Sequence, residues 1–229
     1  RMNKYSAKLN DIVMKGLAEN IRQAEEAATL RDEIRAQAFQ INEAGFGSLF
    51  GRMQVTLGRY SILSVTRLFD PLYEEYQSKS IPAAFNHLRF AADYIDITDR
   101  EFLIKRLIAF GHDKSQFKDV PDPWVTQLVR KEFADRSPKA GNPESSELSK
   151  ALDALLTANN KPVTPPEIVE ESDTLSITDA NRDLLLGFAK EFVTIIGQGY
   201  LNTSFEPDTR TVGSDLRQLL IRAGIVANQ

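Results

Sequence analysis

Apolar side chains recur along nearly the whole chain at the three- and four-residue steps of a helix, and no segment alternates as a half-buried strand does. From Ser6 to Ile41, Leu9, Val13, Leu17 and Ile21 step by four, and Leu30, Ile34 and Ile41 continue in a shifted phase. The shift falls near Thr29, where Thr29-Leu30-Arg31-Asp32 resembles a weak capping start. One kinked helix or two consecutive helices are predicted. Phe46 to Phe69 is a second helix. Its apolar residues lie around most of the circumference, which predicts burial on nearly all sides. Asp70-Pro71 closes it, because the residue before proline is pushed out of helical geometry.

Ser80-Ile81-Pro82 opens a third helix with a serine N-cap and a proline in the first turn, carrying the stripe Ile81, Phe85, Leu88, Ala92 and Ile95. Thr98-Asp99-Arg100-Glu101 has the form of a capping box for a fourth, lined by Leu103, Leu107 and Phe110 and ended by Gly111. A fifth starts at Asp122-Pro123-Trp124 and runs to about Ala134. A sixth carries Leu148, Leu152, Leu155 and Leu156, and a proline-rich connector, "LTANNKPVTPPE", follows. A long seventh helix, capped by Thr178 or Asp179, runs through Leu185, Phe188, Phe192, Ile195 and Tyr200. Ser214 caps a last one that ends near Gly224. The expectation is an all-α bundle of about seven or eight helices, one domain over residues 3–229 with a partly irregular inserted section over 111–147.

Composition removes several classes of function. The chain has 229 residues, 42% of them hydrophobic and 26% charged, which is ordinary for a globular domain. A net charge of −4 supplies no global field toward nucleic acid or an anionic membrane. With no cysteine there is no disulfide, no thiolate zinc site and no cysteine nucleophile. With only His87 and His112, a multi-histidine metal site within one chain is not expected, nor is a cofactor. No charged-then-apolar leader pattern and no membrane-length apolar run stand out, so the expected location is cytoplasmic.

Three stretches carry a likeness: "FGSLFGRMQVTLGRYSILSVTRLFDP" with its Arg67-Leu68-Phe69-Asp70-Pro71 ending, then "SIPAAFNHLRF", then "LLLGFAKEFVTIIGQGYL". In this order they resemble the abortive-infection U-type branch of the HEPN superfamily, over residues 10 to 205. The resemblance implies a helical bundle, often dimeric, from phage-defence or toxin–antitoxin settings, with RNA or nucleotide as ligand. Active members are metal-independent endoribonucleases marked by an arginine, four to six residues, and a histidine. RNA cleavage through its own 2′-OH needs proton transfer near neutral pH, which a histidine supplies. It also needs a permanent charge on the phosphoryl group, which a guanidinium supplies.

Two alignments of that mark compete. "RLIAFGH" places five residues between Arg106 and His112, though Leu107 stands where the family has asparagine or aspartate. On an unbroken helix these side chains lie about 240° apart; they converge only if Gly111 redirects the chain or a second subunit helps. His112 suits a plain helix end equally well. By order along the chain, the mark falls instead on the connector before the long late helix. There the resemblance puts Asn159 in place of the arginine and Pro165 in place of the histidine, while Lys161 and Glu167 are kept. An amide does not titrate and proline has no side-chain donor, so this alignment, which respects the order of helices, implies a degenerate HEPN domain; read as a connector alone, the stretch leaves a plain helical protein-interaction domain as the third alternative.

Three smaller features complete the reading. Arg67 and Asp70 are read as a structural pair three residues apart. His87 is read as a packing residue. Lys105 to Lys139 holds eight basic residues against five acidic ones. This makes Lys114, Arg130 and Lys131, with the only tryptophan, Trp124, a candidate contact for single-stranded RNA. A solvated helix face accounts for it as well.

Overall fold

The computed structural model describes residues 2–72, 78–139, 147–160, 176–207 and 209–227. Among them every regular element is helical and no strand occurs. Helix α1 (Lys4–Ile12) passes through a wider turn at Val13–Leu17 into α2 (Ala18–Ala36), followed by short α3 (Ala38–Glu43) and α4 (Gly47–Arg67). Then come α5 (Ile81–Ala91), α6 (Arg100–Ala109), a tight turn at Lys114–Phe117, α7 (Asp122–Arg136), α8 (Glu147–Asn160), α9 (Ser176–Leu201) and α10 (Arg210–Arg222).

α9 is the axis of the bundle. It packs against α1, α2, α4, α6 and α8, and its Leu185, Leu186, Ala189, Phe192, Val193, Ile195, Ile196 and Tyr200 are buried. Thr178–Leu201 is long and apolar enough to cross a membrane, which the sequence reading did not anticipate, but 67% of that window is buried inside the bundle. The apolar run therefore builds the protein core. Phe133 of α7 is a hub there, with ring centroids 5.1 Å from Phe192, 5.7 Å from Phe188 and 5.8 Å from Phe110, all edge-on. The Tyr200 hydroxyl meets Thr126 of α7 at 3.3 Å, and burial pushes its pKa well above the usual value. The 111–147 section thus supplies core residues: Phe117, Val125, Val129 and Phe133. A smaller core at the far end joins Ile34, Ile41, Phe50, Leu216 and Leu220.

Local signals place several ends where the sequence does. Ser80 accepts from the Ala83 amide and Pro82 sits in the first turn of α5. Gly224, at φ +71°, follows α10. Others differ. The first rod runs straight through Thr29; its irregularities are the wide turn at Val13–Leu17 and the break at Gln37. The shifted apolar phase arises because α2 is enclosed by α4, α9 and α10, so it buries more than one stripe. α4 is not buried all round: Phe46, Leu49, Met53 and Tyr60 are 45%, 55%, 37% and 41% exposed. Asp99, not Thr98, caps α6 by accepting from the Phe102 amide; Thr98 instead donates to the Gln198 carbonyl. α9 is already helical at Ser176, so Asp179 lies within its first turn, and α10 is helical at Arg210, so Ser214 is interior. Asn159 and Asn160 continue α8 rather than opening a loop.

Close approach constrains Gly199 and Gly197 of α9: a Cβ on Gly199 would meet the Leu103 side chain at 2.3 Å, and at Gly197 the obstacle is backbone. A Cβ on Gly197 would lie 2.7 Å from the Thr203 carbonyl oxygen, whose own amide bonds the Gly197 carbonyl at 3.0 Å. Gly187, one face away, would meet nothing within 4 Å. Gly197→Ala is expected to cost about 1–3 kcal/mol by overpacking, whereas Gly187→Ala should gain about 0.5–1 kcal/mol of helix propensity. Urea unfolding of the two variants measures both signs; equal effects would show that the turn after α9 yields freely.

Candidate functional site

The site that bears on the sequence reading lies where α6, α7 and α9 meet. α6 is fixed at both ends. At its start the Thr98 and Asp99 amides both bond the Gly199 carbonyl of α9, at 2.8 and 3.1 Å. At its end Gly111 takes φ +103°, a left-handed conformation that favours glycine. The Gly111 amide then bonds Ile108 O at 2.9 Å and the His112 amide bonds Leu107 O at 3.1 Å, the paired bonds of a glycine-terminated helix. Gly111 therefore does redirect the chain between Arg106 and His112.

The two side chains go to different acids. An Arg106 Nη donates to Glu191 Oε1 of α9 at 3.1 Å, and Arg136 of α7 donates to the other oxygen of Glu191 at 3.0 Å. Each arginine side chain is 40% exposed and Glu191 25%. Arg136 lies over the rings of Phe110, Phe133 and Phe188, at 4.9, 5.7 and 5.9 Å from their centroids. Arg106 stands 5.8 Å from the Phe110 ring. One donor on each arginine, Arg106 Nε and Arg136 Nη1, is buried without an acceptor among the described residues. His112 Nε2 donates to Glu132 of α7 at 3.3 Å, and its ring meets Phe117 edge-on. Glu132 thereby selects the Nε2–H tautomer of a neutral ring and leaves Nδ1 as the proton acceptor.

Glu132 and Arg136 are one turn apart, so the two acid–base groups share a face of α7. With His112 neutral, two guanidiniums face two carboxylates and the cluster has no net charge. Each arginine gives one Nη donor to Glu191. The partners Arg136, Glu132 and Glu191 were not among the sequence candidates. A signal existed for one of them: Glu191 is a carboxylate set between Phe188 and Phe192 in an apolar stretch, where a charge requires a partner.

The basic candidates lie on the turn after α6 and on two faces of α7. Lys114 lies exposed in the turn after α6, and Trp124, 37% exposed, meets Phe117 edge-on at 6.0 Å. Lys131, seven residues after Trp124, shares its helical face, but Arg130 points about 100° away and donates to Gln127, which itself bonds the Arg89 carbonyl. His87 donates from Nε2 to the Tyr5 carbonyl at 2.8 Å, fastening α5 to α1. Arg67 and Asp70 are both exposed. Desolvation of the Asp70 carboxyl raises its pKa, and the charge of Arg67 pulls the other way. Asn159 is half-buried near the end of α8; Lys161, Pro165 and Glu167 lie outside the described residues.

A second charged cluster joins α2 to α9. The buried Arg31 and Arg182 share Asp179, at 2.7 and 3.0 Å, and Arg182 also bonds Asp183 at 2.8 Å. Beside them a cleft of about 320 Å³ is lined by Glu25, Asp32, Asp183, Arg182 and Lys190. Here too the charges are matched: Lys190 pairs with Glu25, and Asp32 with Arg35. The cluster fastens the bundle.

The fold and site define an all-α bundle with internally neutralised charge clusters. No protein-family model, curated protein or solved structure matches the chain.

Removal of Glu191 tests the bridging role. Glu191→Ala strands two guanidiniums at once and is expected to cost about 1–3 kcal/mol, toward the lower end because both arginines are partly exposed. Glu132→Ala breaks a single partly exposed pair and should cost less than about 1 kcal/mol. Thermal and urea unfolding compare them; equal losses would contradict a special role for Glu191.

Proposed function

We propose that this chain is a HEPN-like helical domain acting as a non-catalytic or weakly active binding and regulatory module, of the kind associated with prokaryotic phage defence and toxin–antitoxin systems. The observation that carries the reading is the engagement of Arg106. Its charge is answered by Glu191, which it shares with Arg136, while His112 is answered separately by Glu132. A guanidinium paired with a carboxylate offers a phosphoryl group a weaker field, because the neighbouring carboxylate repels the phosphate. Asn159, at the other candidate motif position, has no titratable group. A cytoplasmic location accords with this role.

A second reading, a metal-independent endoribonuclease using Arg106 and His112, draws support from the His112–Glu132 pair. A carboxylate that orients an imidazole is a recurrent feature of general bases. One experiment separates the two: purified protein is incubated with a generic RNA in EDTA, beside His112→Ala and Arg106→Ala. The proposed reading expects no cleavage above background in all three. Chelator-resistant cleavage by the wild type that either variant abolishes would establish the ribonuclease instead.

A further inference from the structure

Gly187 weakens the central helix with no packing reason inside the protein. A glycine within a helix destabilises it relative to alanine. Gly197 and Gly199 of α9 are required by the Thr203 carbonyl and the Leu103 side chain, but a Cβ on Gly187 would meet nothing within 4 Å. Gly187 instead lines the 320 Å³ cleft between α2 and α9. On α9, Asp183, Gly187 and Lys190 stand at i, i+4 and i+7, and Glu25, Thr29 and Asp32 hold the same relative positions on α2. Each helix thus turns one face to the cleft, charged at its two ends and short in its middle. The missing side chain keeps that middle open, as glycine does where a ligand approaches the backbone closely.

The two ends differ in what they leave unbonded. The helices run antiparallel, with Lys190 paired to Glu25 and Asp179 to Arg31. At the Asp183 end the buried guanidinium of Arg182 has every nitrogen on a carboxylate: Nε and Nη2 donate to Asp183 and Nη1 to Asp179. Those bonds use one oxygen of Asp183, and Arg31 and Arg35 use one oxygen of Asp32. The second oxygens of Asp183 and Asp32 accept nothing among the described residues, and the two side chains are 64% and 46% exposed. At the other end Lys190 meets one carboxylate, Glu25, with an ammonium that carries three donors. Seven residues of helix, about 10 Å, separate these ends.

We infer that this cleft binds a small zwitterion of the ω-amino acid class. Its ammonium sits on Asp183 and Asp32, its carboxylate on Lys190, and its apolar stem crosses Ala28 and Gly187. The charges around the cleft are matched in pairs, so a ligand with net charge would leave one uncompensated, and a zwitterion does not. The inference goes beyond the reading of Arg106 and His112 and shares no residue with their cluster.

The test titrates the full chain by calorimetry with three six-carbon probes of equal length: 6-aminohexanoate, hexane-1,6-diamine and adipate. 6-Aminohexanoate is expected to bind at least about tenfold tighter than either of the others, and more weakly at high salt. Lys190→Met and Asp183→Asn should each lower its affinity about tenfold. Gly187→Ala should lower it as much while raising the urea midpoint, a combination that a damaged fold cannot give. Binding of none of the probes overturns the inference. So does a diamine or a dicarboxylate that binds as tightly as the amino acid, or an affinity that Gly187→Ala leaves unchanged. RNA cleavage of either outcome leaves the cleft's assignment standing, and a failed titration leaves the reading of Arg106 untouched.

Discussion

Enclosing α9 is the constraint on which the rest of the bundle depends. A helix surrounded by α1, α2, α4, α6 and α8 has little solvent for its polar groups, and each charge it carries into that environment must find an opposite charge. Asp179 near its start meets Arg31 of α2 and, within the same helix, Arg182. Glu191 in its middle meets Arg106 of α6 and Arg136 of α7. These pairs set which helices can lie beside α9 and at what height. The aromatic hub around Phe133 then fills the space between them.

The same constraint shapes the chemistry. Arg106 and His112 have the spacing of a nuclease motif, and Gly111 supplies the redirection that such a motif needs on a helix. In the fold the Arg106 charge, with that of Arg136, ties α6 and α7 to α9 through Glu191. His112 meets a separate carboxylate, Glu132 of α7. α4 needs only one apolar face for the core and keeps a second in solvent.

Legibility followed distance along the chain. Ser80, Pro82 and Gly111 act within a turn or two of themselves, so the start of α5 and the end of α6 could be read directly. Thr98, Asp179 and Ser214 have residue types that cap helices, but Thr98 and Asp179 bond other helices and α10 begins before Ser214. Their roles depended on neighbours far away. The partners of Glu191 lie 85 and 55 residues off in sequence, and no periodicity reports a pairing of that reach. Apolar density along α4 was visible, but which side of it met the core was not.

The sequence by itself determined the all-helical class, most helix positions and the exclusion of thiol chemistry, because periodicity, local stop signals and residue types are properties of short segments. The tertiary structure alone decided that α4 has an open apolar face, that α9 is a core helix and that Arg106 and His112 answer to separate carboxylates. Each of these is a relation between segments. Burial and charge pairing are set by what lies across the interface, and a helix carries no record of its neighbours beyond the face it must hide.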